Sequence, residues 1–230
     1  MADGIAVVVG AGGGIGGALL RRLQTSGRHG EVVGLGRATN PPLDLLNEES
    51  IERAARHVAG RGAPPTLVVD ATGFLHGEGF TPEKSWRGID PAHMRHSFAV
   101  NAIGPALLMK HMLPLLPRDR RAVFATLSAR VGSIGDNRTG GWYAYRASKA
   151  ALNQIVRTAA IELARSRPKA VCVALHPGTV ATPLSEPFAK AGLDVRPPDE
   201  AAADVLRVLD AVGPERSGLL LDHKGNVVPW

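Results

Sequence analysis

The sequence predicts an α/β fold: a single doubly wound parallel sheet of about seven strands, with helices on both faces. Two observations carry this. The strand-like segments, Ile5–Val9 (IAVVV) and residues 66–70 (TLVVD) among them, are continuous apolar runs rather than alternating ones. They also take turns along the chain with longer helical segments. Strands that are apolar on both sides must be covered on both faces, and a parallel sheet with helical crossovers does this.

In chain order, Ile5–Val9 is a short β-branched run ending in glycines, the mark of a buried strand. A helix follows at residues 15–24, then a second strand at Glu31–Leu35. Residues 50–59 are helical, with Ser50 or Asn47 as the cap. Residues 66–70 form a third strand. Residues 91–116 form a long helical segment that Pro117 ends. Ala122–Leu127 is a strand, residues 142–166 a long helix, residues 170–175 a strand, residues 199–212 a helix and residues 218–221 a last strand. With no internal repeat, low-complexity segment or linker, residues 1–230 read as one domain.

Composition agrees and narrows the function classes. A chain of 230 residues suits one domain and can bury a core without disulfides or metals. Apolar residues at 44% and charged residues at 21% exclude a disordered chain. Aromatics are only 4%, so Ala, Val and Leu must fill most of the core. The net charge of +6 comes from scattered bases, which argues against a nucleic-acid tail or a membrane-binding basic helix. It leaves mild attraction to anionic ligands. The single cysteine, Cys172, lies in an apolar run; it reads as a buried inert thiol and points to a reducing, cytoplasmic compartment. Residues 4–20 carry no charge, but seven of them are glycine, so neither a signal peptide nor a membrane helix is expected there.

The first strand runs into Gly10-Ala11-Gly12-Gly13-Gly14-Ile15-Gly16, which opens the first helix. Glycine there lets backbone N–H groups approach a pyrophosphate, and the helix N-terminus adds a favourable field. The spacing is Gly-x-x-x-Gly-x-Gly, and the absence of a following Gly-Lys-Ser/Thr excludes a phosphate-hydrolysing loop. After the second strand, Gly36 leaves space and Arg37 offers a charged planar fork where a carboxylate would otherwise meet a ribose 2′-hydroxyl. This favours a 2′-phosphate, hence NADP, with NAD as the alternative. Asp44, beside Leu45, either accepts from an adenine amino group or starts the next turn.

Tyr145 and Lys149 stand four residues apart on one helix, so they share a face. An ammonium near a phenol favours phenolate and lowers its pKa from about 10. A phenol tuned in this way exchanges a proton with a carbonyl oxygen near neutral pH. Asn101 lies four residues before Pro105, whose missing N–H frees the Asn101 carbonyl and predicts a kink. The segment His176-Pro177-Gly178-Thr179-Val180-Ala181-Thr182 leaves the carboxyl end of a strand, where open α/β sheets bind ligands.

Taken in this order over essentially the whole chain, these pieces resemble the classical short-chain dehydrogenase/reductase family, in its C-factor and carbonyl-reductase branch. The likeness to that branch is strongest in residues 128–133, the Tyr145 helix and the end of the chain from Gly225. The resemblance implies a Rossmann-like fold and hydride transfer between NADP(H) and a small carbonyl or alcohol. It also implies a homodimer or homotetramer. It assigns the cofactor to Gly10, Gly12, Gly13, Gly14, Ile15 and Gly16, to Ala71, Thr72 and Gly73, and to Pro177, Gly178, Val180 and Thr182, with Tyr145 and Lys149 also in contact. Tyr145 is then the proton donor, Lys149 its partner, and Asn101 the holder of a relay water.

Three departures stand out. Val9 replaces a threonine, Asp70-Ala71 replaces an asparagine pair, and Ala129 falls where the family's substrate-orienting serine is expected. A one-residue adjustment at the strand end assigns that role to Ser128, with Ser133 as the alternative. His93 and His96 are three residues apart on a helix but lack a third ligand, so a surface or half-buried pair is expected and no metal. His76, His111 and His176 are not singled out by any pattern. The expected substrate walls are residues 74–90, 136–142 and 183–198, with Phe74, Phe80, Trp86, Trp142 and Phe188. The competing function is a non-catalytic signalling or cofactor-sensing protein on the same fold, motivated by the C-factor likeness and the missing serine. A methyltransferase gives no reason for the tyrosine–lysine pair.

Overall fold

The computed structural model describes residues 4–188 and 194–230. Among the described residues, eight strands occur in chain order: β1 (Ile5–Val9), β2 (Glu31–Leu35), β3 (Pro65–Asp70), β4 (Ala122–Leu127), β5 (Ala170–His176), β6 (Thr179–Val180), β7 (Val195–Arg196) and β8 (Leu220–Asp222). Six of them form one parallel sheet in the order β2-β1-β3-β4-β5-β8, while β6 and β7 pair separately. The order reverses between β1 and β3. Sheets of this kind bind their ligands at such a reversal, outside the carboxyl ends of the strands.

The helices are α1 (Gly14–Ser26), α2 (Glu48–Ala59), α3 (Pro91–Phe98), α4 (Gly104–Met112), α5 (Tyr143–Ser166) and α6 (Pro198–Ala211). Strand alternation explains why the strand sequences are apolar throughout. Ile5, Val7 and Val9 of β1 join Phe124 of β4 and Leu108, Met112, Leu152 and Val156 of α4 and α5 in one core layer. Ala6 and Val8 join Leu19 and Leu23 of α1 and Val205 and Leu209 of α6 in the other.

Local chemistry sets the helix ends. Asn47 caps α2 by accepting from the Ser50 N–H, so the helix begins at Glu48 rather than residue 50. Gly27, with φ of 62°, stops α1 two residues later than the apolar pattern suggested. Asp90 caps α3 by accepting from the His93 N–H, with Pro91 in the first turn.

The long segment expected at residues 91–116 is continuous but not uniform. Between α3 and α4 lies a five-residue π-turn, Ala99–Ile103, in which the Gly104 N–H bonds back to the Ala99 carbonyl. Pro105 cannot donate to Asn101, and the wider turn takes up that missing bond. By length and composition Pro91–Leu115 could cross a membrane. It carries the buried polar residues His93, Ser97 and Asn101, however, and packs Leu108 and Met112 into the core.

Candidate active site at the switch point

The glycine loop is shaped by close contacts that side chains would fill. Gly10 has φ of 82°, and a Cβ on it would lie 3.1 Å from the Ala71 backbone. A Cβ on Gly16 would lie 2.1 Å from the Gly10 carbonyl oxygen, which forces glycine where α1 turns out of the loop. Gly14 is held against Thr182, whose methyl would sit 2.7 Å from an added Cβ. The loop after β5 therefore meets the loop after β1, although 168 residues separate Gly14 from Thr182. Gly12, Gly13 and Gly14 are exposed, Ile15 is half-buried, and α1 has neither a side-chain cap nor an acid in its first turn. Its N–H groups are thus free for an anion, and the cradle fits a dinucleotide pyrophosphate.

At the far end of this cradle, Gly36 has open space, with only the Ala11 nitrogen near an added Cβ at 3.9 Å. Arg37 is exposed and, among the described residues, joins no ion pair. Asp44 accepts from the Leu46 N–H through Oδ1, so the turn-starting role is filled, and among the described residues its second oxygen has no partner. Leu45 packs on Gly104, whose added Cβ would lie 2.9 Å from it, and so joins this end of the site to the π-turn.

The third wall is residues 70–73. Asp70, fully buried at the end of β3, accepts from Thr72 N–H (3.1 Å), Thr72 Oγ1 (2.5 Å) and Thr126 Oγ1 (2.7 Å). Burial raises its carboxyl pKa, and these hydrogen bonds together with Lys149 oppose the rise. Ala71 donates its N–H to Val9. Gly73 lies between two expected catalytic groups: a Cβ on it would be 3.7 Å from Lys149 Nζ and 3.8 Å from Asn101 Oδ1.

Asn101 is buried in the π-turn and clamps the backbone of Phe74. Its Oδ1 accepts from the Phe74 N–H, and its Nδ2 donates to the Phe74 carbonyl, both at 2.8 Å. The same Nδ2 reaches Ser148 Oγ on α5 at 3.1 Å. Tyr145 and Lys149 stand on the first turns of α5, with Lys149 Nζ 5.9 Å from the centre of the phenol ring and donating to the Leu127 carbonyl at 2.8 Å. Gly132 allows α5 this close, since a Cβ there would be 2.8 Å from the Lys149 Cβ.

Burial dominates the electrostatics of the pair. It pushes the Tyr145 phenol up to about 12, so the expected lowering by the ammonium is not what this environment produces. It brings Lys149 down to about 8, with Asp70 opposing the fall. The group is therefore a protonated phenol beside an ammonium at neutral pH.

The two serines expected near a substrate carbonyl are both engaged elsewhere. Strand alternation carries Ser128 onto the face of Phe124 and Thr126, beneath α5, where its hydroxyl donates to Asn153 Oδ1 at 2.7 Å. Ser133 Oγ accepts from the Asp136 N–H. The side chain that packs against Tyr145 is that of Ala129, together with Leu75 and, at the margin, Val131, Trp142, Leu184 and Phe188.

Of the expected aromatic walls, Trp142 and Phe188 are present, with ring centres 5.2 Å apart. Phe74 and Phe80 pack instead on His93 and His96, and Trp86 is 64% exposed beneath Arg87. Residues 189–193 of the third wall lie outside the described residues. Past β5, Pro177 and Val180 are buried, and Gly178, at φ of 85°, borders His223 and Arg196. His176 is pushed down to about 4 by burial. Cys172 is buried and its thiol pushed up to about 12. His93 is not half-buried as expected but enclosed, its Nδ1 3.3 Å from Glu83. Glu83, 61 residues from the Ala144 N–H that it accepts from, and Asn153, 25 residues from the Ser128 hydroxyl that it accepts from, carried no sequence signal.

A family model described as enoyl-(acyl carrier protein) reductase matches residues 18–206. C-signal of Myxococcus xanthus is 41% identical over 143 residues, covering 62% of this chain and 81% of that protein. The 1-hydroxy-2-glutathionyl-2-methyl-3-butene dehydrogenase of Rhodococcus sp. (strain AD45) is 30% identical over 97% of this chain and 98% of its own. NADPH-bound carbonyl reductase from chicken fatty liver superposes with a TM-score of 0.85 at 25% identity, over 99% of each chain.

Proposed function

Because the chain belongs to the short-chain dehydrogenase/reductase family of oxidoreductases, we propose that it interconverts a carbonyl and an alcohol with NADP(H), using Tyr145 as proton donor. The observation that carries this reading is the buried Tyr145–Lys149 pair beside Gly73 and Asn101, at the sheet end where the glycine loop opens. Gly10 to Gly16 suit the pyrophosphate, Arg37 a 2′-phosphate, and Pro177 to Thr182 the nicotinamide side. Bound there, the cofactor supplies the hydride.

The chain's own residues supply orientation and the proton. Tyr145 keeps its proton because burial holds the phenol at about 12, and it gives that proton to the carbonyl oxygen as negative charge develops there. Lys149 holds positive charge beside the phenolate left behind. Asn101 fixes both Phe74 and Ser148, and so keeps the third wall at a set distance from α5. With Ser128 tied to Asn153, carbonyl orientation falls to the phenol and the apolar wall around Ala129.

A second reading, a cofactor-sensing signal protein, draws support from the likeness to C-signal and from Ala129 in the serine position. Titration with NADPH and NADH, followed by turnover across aldehydes and ketones, separates the two. Binding with turnover supports the reductase. Binding without turnover on any carbonyl favours the sensor, and failure to bind either nucleotide overturns both.

A further inference from the structure

Two of the described α-helices carry a side-chain cap from the residue just before them, α2 in Asn47 and α3 in Asp90. Helix α5, which presents Tyr145 in its first turn, does not. Its cap position is Trp142, in left-handed conformation at φ of 54°, with no side-chain hydrogen bond and no acid in the first turn. The missing acceptor comes from 61 residues away. Glu83, in the loop between β3 and α3, accepts from the Ala144 N–H through both carboxylate oxygens, at 3.2 and 3.1 Å. The Glu83 carbonyl accepts from the Trp142 N–H at 2.6 Å. Both ends of the residue thus grip the start of α5, next to Tyr145.

The carboxylate is itself fixed. Its side chain is 2% exposed, and that of His93 on α3 is 3% exposed with Nδ1 3.3 Å away. Phe80 stacks on the His93 ring at 5.1 Å and 6°. Among the described residues His93 Nε2 has no hydrogen-bond partner, so the polar face the ring turns to its surroundings is the Nδ1 edge beside Glu83. A negative group at a helix N-terminus is favourable, and more so out of water. The loop that carries Glu83 also contains Phe74, nine residues earlier, which Asn101 clamps. It is therefore tied at one end to the π-turn and at the other to α5.

We propose that Glu83, packed on His93, is a positioning residue for Tyr145: a buried cap supplied from a distant loop of the same chain that sets the first turn of α5 against the Phe74 loop. The effect on turnover rests on the reductase reading above, whereas the effect on the helix does not. The test compares Glu83→Ala and Glu83→Gln with the unmutated full chain, by steady-state kinetics, NADPH titration and amide exchange. Glu83→Ala should lower kcat about tenfold, the loss expected of one cap's worth of positioning, with NADPH affinity within about twofold. Exchange at residues 143–145 should quicken several-fold while α1 is unchanged. Glu83→Gln keeps an acceptor oxygen and should restore most of both.

Unchanged exchange at residues 143–145 in Glu83→Ala overturns the proposal. So does equal kcat in Glu83→Ala and the unmutated chain, or a loss in Glu83→Gln as large as in Glu83→Ala. Should Glu83→Ala not fold, Glu83→Asp withdraws the acceptor by one methylene and is read by the same criteria. If the unmutated chain reduces no carbonyl, the proposed function fails, and the exchange measurement alone decides the role of Glu83.

Discussion

The glycine loop and the proton-transfer centre lie at the same end of the sheet but are built in opposite ways. The loop is backbone: Gly10, Gly14 and Gly16 act by what they lack, and seven consecutive residues contain nearly all of it. The proton-transfer centre is side chain. Asn101 comes from the π-turn, Lys149 and Tyr145 from α5, their Gly73 neighbour from the loop after β3, and the cap on α5 from Glu83. A backbone site tolerates little change at a few positions. A side-chain site depends on many distant residues, each of which adjusts one group.

The sharpest break between the two regions is Tyr145→Phe. It removes the proton and leaves the loop intact, so carbonyl reduction should fall by about a hundredfold to ten-thousandfold while NADPH still binds. Near-normal turnover in stopped assays with matched cofactor saturation ends the proton-donor assignment.

Arg37→Ala breaks the comparison from the other side. A charge-assisted hydrogen bond to a 2′-phosphate is worth about 1.5–3 kcal/mol, so NADPH affinity should drop about tenfold to a hundredfold or somewhat more. NADH affinity and kcat at saturation should hardly move. Equal affinity of the unmutated chain for both nucleotides in calorimetric titration makes Arg37 a surface residue and ends the NADP preference.

A smaller effect tests Lys149 through pH. Burial lowers it from 10.5 to about 8, so it loses its proton as pH rises through about 8. Reduction should decline by up to about tenfold per unit above that point. The stability sign is opposite. Between about 8 and 10.5 the unfolded chain holds this proton and the folded chain does not, so stability from this group rises with pH. A rate loss with an unchanged or higher melting temperature from pH 8 to 9.5 therefore assigns the loss to chemistry, whereas parallel loss of both assigns it to unfolding.

The smallest effect concerns the serines. Ser128 is bound to Asn153, so Ser128→Ala should cost roughly 1 kcal/mol of stability and no more than a few-fold in kcat. Ser133→Ala should change kcat less still. A hundredfold loss in Ser128→Ala kinetics would instead return Ser128 to the substrate carbonyl.

Much of the fold could be read from patterns of a few neighbouring residues. Doubly apolar strands, Asp90-Pro91 at a helix start and Pro105 after Asn101 each constrain local backbone, and local backbone is what short sequence patterns encode. The glycine loop belongs to the same class, because the turn that needs glycine is formed by the glycines themselves. The kink was expected at Pro105, but not its form as a π-turn over Ala99–Ile103.

By itself, then, the amino-acid order determined the layered sheet, the switch-point loop and the shared face of Tyr145 and Lys149, all set by bonds within one element or one turn. Tertiary structure alone decided which way Ser128 points, since its face depends on where β4 ends beneath α5. It also decided that Tyr145 is a protonated phenol at about 12, since desolvation comes from residues far along the chain. Only there does Glu83 meet the Ala144 N–H: a hydrogen bond spanning 61 residues leaves no spacing to read, because the intervening chain fixes its geometry only once it is packed.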